Sequence, residues 1–83
     1  MNLEKQISRI VMIDRMIQLK STGTPKEISR KMNVSESTVF RLLKALKENI
    51  NRDIEFDRHL NSYVYLQEYG EIDFKKILFA VEE

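Results

Sequence analysis

The stretch that decides the fold runs from Thr24 to Leu46 and reads TPKEISRKMNVSESTVFRLLKAL. It predicts two short helices joined by a tight turn. The first helix begins at Pro25, because Thr24 is a good N-cap and Glu27 stands three residues later, as a capping box requires. Asn33 then predicts the end of this helix, since Asn tolerates the left-handed backbone conformation of a helix-ending turn.

Apolar residues give each of these two helices a buried side. Ile28 and Met32 supply the inner face of the first, at a spacing of four. The second begins after the N-cap Ser35, and its stripe recurs at spacings of three and four: Val39, Leu42, Leu43 and Leu46. Caps, turn and stripe together predict a helix-turn-helix.

The residues outside this stripe are the candidate functional residues of the second helix: Ser37, Thr38, Phe40, Arg41, Lys44 and Lys47. Short hydroxyl side chains at the leading end let a helix approach a DNA groove closely, and basic residues further along can contact phosphates. The alternative is an ordinary solvated face of a structural helical hairpin. The joint pattern of caps, stripe and outer residues favours DNA binding.

Arg41 shares a face with Ser37 and Thr38, so we expect it to contact a base edge, a guanine in particular. Its alternative role is one more phosphate contact. Phe40 has two open interpretations, contact with a thymine methyl group or packing within the domain.

Composition sets limits on the protein. The chain has 83 residues and no cysteine, which is enough for one small domain without disulfides or a thiolate metal site. Neither a secretory signal nor an apolar stretch long enough to span a membrane is visible, so we expect a cytoplasmic protein.

The charges are unevenly distributed along the chain, although the formal net charge is only +1. Residues 1–47 hold ten Lys/Arg against four Asp/Glu, and residues 48–83 hold four Lys/Arg against nine Asp/Glu. A basic front half is suited to a polyanion.

The segments on either side of the central stretch predict a long helix and a β-hairpin. Residues 3–20 carry isoleucines at helical spacing and a broad apolar face, and Gly23 is the expected left-handed residue after this helix. Residues 50–53 predict a connection in which only Ile50 is buried. Residues 54–57 alternate between apolar and acidic side chains, and residues 62–66 are rich in β-branched and aromatic residues. A four-residue loop lies between these two segments.

With these elements in place, residues 7–66 resemble the small winged helix-turn-helix domains of bacterial transcription regulators, of the DeoR-like and biotin-operon-repressor-like type. The matching segments are Ile10 to Leu19, TGTPKEIS, NVSESTVFRLLKAL and IEFDRHLNSYVYL. The resemblance implies a mainly α fold, a three-helix core with a small β-hairpin wing. It also implies sequence-specific binding to double-stranded DNA, with the third helix in the major groove and the wing on the backbone. Asn33 departs from the family's usual glycine, and we expect no ligand-sensing domain after the hairpin.

The other predicted DNA contacts lie toward the end of the second helix of the stretch and in the segments around it. Lys44, Lys47 and the hairpin residue Arg58 are assigned to phosphates. Ser35, Lys26 and Asn61 are further predicted DNA contacts, and so is the only histidine, His59, for which a solvated loop residue is favoured over a phosphate contact. Tyr63 and Tyr65 share a strand face, for which packing on the domain is favoured over stacking on bases.

Enzymatic activity is not expected, because no nucleophile–base pair, metal-ligand spacing or glycine-rich phosphate loop is present. No cofactor and no small-molecule ligand is expected either.

We treat residues 1–83 as one domain with a core at about 3–66. Residues 67–83 are a possible third strand, to about Lys76, followed by a tail. Surplus apolar residues on the N-terminal helix and at residues 77–81 predict a homodimer, or burial of one by the other within a chain. The alternative function is a protein–protein interaction module on the same fold.

Overall fold

The computed structural model describes residues 3–72 and contains three α-helices followed by a two-stranded antiparallel hairpin. The elements in chain order are α1 (Leu3–Gln18), α2 (Pro25–Met32), α3 (Glu36–Lys44), a π-helical turn (Ala45–Asn49), β1 (Ile54–Asp57) and β2 (Ser62–Tyr65). Ile54 pairs with Tyr65 at one end of the hairpin and Asp57 with Ser62 at the other. The predicted helices and hairpin are therefore confirmed.

The end of α1 differs from the prediction in its position and in the residue that makes it. The helix stops at Gln18, and Lys20 takes the left-handed conformation with φ 56°. The Ser21 amide then donates to the Met16 carbonyl at 3.0 Å, which closes a Schellman turn. The prediction that Gly23 is left-handed is confirmed, with φ 75°, but Gly23 does not end α1 and instead directly precedes the N-cap of α2.

The caps of α2 and α3 form as the sequence predicts. Thr24 Oγ1 accepts from the Glu27 amide at 3.3 Å, and the Glu27 carboxylate accepts from the Thr24 amide at 3.2 Å, which completes the capping box. Asn33 ends α2 with φ 55°. Ser35 Oγ then accepts from the Thr38 amide at 3.1 Å at the start of α3.

One apolar core lies where α1, α2, α3 and the hairpin meet. The four residues of the predicted α3 stripe are all buried in it, and Ile28 of α2 is fully buried. The other core members are Ile10, Ile13, Ile17, Ile50, Ile54 and Ile72. The π-helical turn carries the chain from α3 to Ile50, so both Leu46 and Ile50 remain on the core side. This burial is the main source of stability in a domain of this size.

Buried hydroxyl groups fasten the hairpin to the α1–α2 connection. Thr22 and Ser62 are both fully buried. The Thr22 amide donates to Ser62 Oγ at 2.9 Å, and the Tyr63 amide donates to Thr22 Oγ1 at 2.8 Å. Lys31 Nζ donates to the carbonyls of Ser21 and Thr22 from the other side, at 2.9 and 3.0 Å. The strand β2 therefore has a fixed position relative to α2.

A second polar cluster, the Arg52 clamp, joins α1 to the base of the hairpin and consists of Asp14, Arg52, Tyr65 and Tyr69. Arg52 is only 4% exposed and donates to Asp14 Oδ1 at 2.9 Å and to the Gly70 carbonyl at 2.7 Å. Its guanidinium lies 5.1 and 5.0 Å from the ring centroids of Tyr65 and Tyr69. The prediction that only Ile50 is buried between residues 50 and 53 is wrong, because these partners offset the cost of removing the arginine from water.

The segment after β2 runs back along α1. The Leu66 amide donates to the Asp53 carbonyl, and Ile72 is buried in the core. Glu71 and Ile72 are not in a strand, and the rest of the predicted third strand lies outside the described residues. Within residues 3–72, no helix is long and apolar enough to cross a membrane.

Candidate nucleic-acid interface

The outward side of α3, called here the outer face, presents Ser37, Phe40, Arg41 and Lys44 to solvent. These side chains are exposed because Val39, Leu42 and Leu43 turn the opposite side of the helix into the core. The outer face therefore runs from a small hydroxyl at its leading end to two cations further along. The structure places four of the five predicted contact residues of this helix on one accessible surface, and the fifth, Thr38, is half-buried.

A chain of hydrogen bonds links Arg41 to the start of α3. Arg41 Nη2 donates to Thr38 Oγ1 at 3.3 Å, and Thr38 Oγ1 lies 3.0 Å from Ser35 Oγ. The guanidinium is thus drawn toward the leading end of the helix. Most of its five N–H donors remain available to a bidentate acceptor such as a guanine edge or a phosphate.

The two lysines beyond Arg41 are exposed at the end of α3 and in the π-helical turn. Lys44 Nζ lies 3.9 Å from a carboxylate oxygen of Glu48, and both side chains are well exposed. An exposed pair of this kind contributes little to stability, and a phosphate can replace the glutamate as the partner of the lysine. Lys47 is exposed as well. Both positions fit a contact with a charged backbone better than a precise contact with a base.

The hairpin tip, residues 58–61, is ordered by one carboxylate. Asp57 Oδ1 accepts from the amides of His59 and Leu60 at 2.9 and 3.1 Å, and Asn61 closes the turn with φ 51°. The predicted turn residue Asn61 is confirmed in that role. The side chains of Arg58 and His59 are exposed on this fixed loop. They carry the cationic and hydrogen-bonding groups of the tip.

The tip also contacts the beginning of α2, a connection that the sequence did not predict. Asn61 Nδ2 donates to Glu27 Oε1 at 3.2 Å, so the capping-box glutamate bridges α2 and the hairpin. The pKa of Glu27 is lowered chiefly by the hydrogen bond from the Thr24 backbone, and then by the Asn61 side chain. Lys26, in the first turn of α2, is exposed beside this bridge. Asn61 therefore has a structural contact in addition to its predicted role.

The aromatic residues divide between packing and exposure. Tyr65 donates to Asp14 Oδ1 at 2.5 Å, and Tyr63 packs edge-on against Phe56 with ring centroids 5.1 Å apart. The favoured interpretation of this tyrosine pair, packing on the domain, is confirmed. Phe40 is 53% exposed on the outer face, which leaves most of its ring accessible to a partner.

Neither the burial of Arg52 nor the second contact of Glu27 was predicted from the sequence. No local signal marks Arg52, because its carboxylate partner lies 38 residues earlier in the chain. Glu27 was identified as a capping residue, and only the tertiary structure brings Asn61 to it. Among residues 3–72, no cluster of three or more acidic or histidine side chains could hold a metal ion.

No protein-family model matches this chain, and no curated protein or solved structure is significantly similar to it.

Proposed function

We propose that this protein is a winged helix-turn-helix domain that binds double-stranded DNA sequence-specifically and regulates transcription. In this proposal α3 enters the major groove and the hairpin is the wing that contacts the backbone. The order of a long helix, two capped helices and an antiparallel hairpin supports the fold. The Asn33 turn between α2 and α3 supports the helix-turn-helix in particular.

The observation that carries the proposal is the outer face of α3. A recognition helix needs short side chains where it comes closest to the base pairs, and longer donors beside them. Ser37 and Thr38 meet the first need, and Arg41 meets the second. The hydrogen bond from Arg41 to Thr38 supports a role in base contact, because it holds the guanidinium toward the end of α3 that would lie deepest in the groove.

Phosphate contacts complete the proposed interface. Lys44 and Lys47 follow Arg41 along the chain, toward the end that would rise out of the groove. Lys26 lies in the first turn of α2, and Arg58 and His59 lie on the hairpin tip. These five side chains are all exposed. The Asn61–Glu27 hydrogen bond supports a fixed spacing between Lys26 on α2 and the hairpin tip. Such contacts supply affinity for any duplex and orient the domain.

The direct test is fluorescence anisotropy with a random duplex at ~50 mM salt, followed by a salt titration. We expect binding that weakens steeply with salt. The variant Lys44→Ala should weaken it and lower the slope of the logarithm of affinity against the logarithm of salt by about 1. Arg15→Ala is the matched control, because Arg15 is an exposed cation on α1 and not in the proposed interface.

An interaction module without DNA binding is the alternative. Glu36 at the start of α3 favours it, because a carboxylate near phosphates is repelled unless it accepts from a cytosine amino group. Absence of binding to any duplex at ~50 mM salt would contradict DNA binding and favour this alternative.

Homodimerisation is also part of the proposal. Met12 of α1 and Leu19, which directly follows α1, are 48% and 68% exposed and stand seven residues apart, about two helical turns, so they lie on the same side of the helix. A two-fold dimer would present two copies of α3 to half-sites about one helical turn of DNA apart. Sedimentation at micromolar concentration, with and without duplex, should detect the dimer, and a monomer under both conditions would contradict it.

A further inference from the structure

Phe40 is an exposed aromatic residue in the middle of the outer face of α3. It is 53% exposed, although it directly follows the fully buried Val39. Glu36 stands one helical turn before it and Lys44 one turn after it, and both of these side chains are exposed. The Phe40 ring therefore lies in a row along the helix whose other members are charged.

Phe40 is also separated in the chain from the other exposed large apolar side chains of residues 3–72. These belong to α1 and its end, to the hairpin tip and to the segment after β2: Leu3, Val11, Met12, Leu19, Leu60 and Leu66. The core of a protein–protein interface is an apolar patch that is depleted in charged residues. A ring between a carboxylate and an ammonium group does not form such a patch. Its surroundings instead favour a polar, charged partner that presents one apolar group.

The major groove of DNA has this chemistry, because the 5-methyl group of thymine is the apolar group among the donors and acceptors of the base edges. Arg41, the next residue, donates to Thr38 Oγ1 at 3.3 Å, so its guanidinium is directed toward the leading end of α3 and the Phe40 ring stays accessible. We infer that Phe40 contacts the 5-methyl group of a thymine and makes this base part of the recognised site. The inference rests on the proposed binding of α3 in the major groove.

The direct test replaces single thymines of the DNA by deoxyuridine, which forms the same base pair and lacks only the methyl group. The starting duplex is a site that the wild-type protein selects from random duplexes, and each thymine of this site is replaced in turn. Fluorescence anisotropy at one fixed salt concentration measures each affinity. We expect wild-type binding to weaken by about four-fold at one thymine, which is the effect of one buried methyl group.

The variant Phe40→Ala should bind thymine and uracil equally well at that position, because the ring that contacts the methyl group is gone. Leu60→Ala is the matched control, since Leu60 is apolar and similarly exposed, at 48%, but lies on the hairpin tip. It should keep the full preference for thymine. Phe40→Leu retains an apolar side chain and should keep part of it.

Stability is not expected to complicate the comparison. Phe40 is more than half exposed, so Phe40→Ala should unfold within about 4 °C of the wild type in a thermal melt. The uracil substitutions are also measured on the wild-type protein, where no variant has to fold.

Three results would overturn the inference while leaving the proposed function in place. They are a selected site without thymine, equal wild-type affinity for thymine and uracil at every position, and a thymine preference that persists in Phe40→Ala. The last result would mean that another residue contacts the methyl group. Absence of binding to any duplex would contradict the proposed function, and this inference with it.

Discussion

Arg52 and Arg58 stand at opposite ends of the same β-hairpin and in opposite surroundings. Arg52, before β1, is 4% exposed and touches a carboxylate, a carbonyl and two aromatic rings. Arg58, at the tip, is exposed to solvent. An arginine is therefore structural where the fold surrounds it with hydrogen-bond acceptors. The hairpin thus has one end that holds the domain together and another that can offer charge to a partner.

The two ends also differ in what holds them to the helices. The base is joined to α1 through Asp14, where removal of one partner would leave the other charge poorly solvated. The tip is joined to α2 by the hydrogen bond from Asn61 to Glu27, which is open to water. The contacts at the base therefore contribute more to the free energy of unfolding than the contact at the tip does. The tip contact mainly fixes the orientation of the hairpin.

The largest expected effect comes from Arg52→Ala. It leaves Asp14 without its cation and opens the space between two tyrosine rings, so the free energy of unfolding should fall by about 3–5 kcal/mol. Urea denaturation followed by circular dichroism measures this. Arg58→Ala, the matched control at the tip, should change the free energy of unfolding by no more than about 0.5 kcal/mol. Similar losses for the two variants would refute the division of roles.

Features that depend on residues close together in the sequence could be predicted, and features that depend on distant partners could not. The caps at Thr24 and Ser35, the Asn33 turn and the α3 stripe follow from rules that act within a few residues, and all of them are confirmed. Arg52 could not be predicted, because its burial depends on Asp14 and Gly70, which are distant in the chain. The outer face of α3 was predicted correctly as a surface, since periodicity alone decides which side of a helix is buried.

Arg41 is exposed like Arg58, but we expect it to have a specific role in DNA binding. If Arg41 contacts a base, Arg41→Ala should cost about 1–3 kcal/mol of binding free energy on the specific site and relax preference at one position. The measurement is competition binding with single-base variants of a site selected from random duplexes. Lys44→Ala is the control and should weaken specific and random duplexes alike. A change of preference with Lys44→Ala but not with Arg41→Ala would show that α3 is wrongly placed in the groove.

The smallest effect concerns Glu27, which holds the tip. Its folded-state pKa is lowered from the usual 4.5, first by the Thr24 backbone and then by Asn61, so the ionised form favours the folded state. This contribution is complete above the usual pKa and is lost as the pH falls through the lowered one. The stability advantage of the wild type over Glu27→Gln should therefore shrink on acidification from pH ~6 to ~3, as chemical denaturation at each pH will show. An advantage that stays constant over this range would contradict it.

The turns of this chain are built with little glycine, and this affects the unfolded state. Lys20, Asn33, Asn51 and Asn61 have φ between 51° and 58°, while the whole sequence contains only two glycines. Glycine at these four positions would relieve the steric cost of the left-handed conformation, but it would also give the denatured chain more conformations to lose on folding. At these four positions the denatured chain therefore has fewer backbone conformations than a variant with glycine there would have. The conformational entropy lost at each turn on folding is correspondingly smaller.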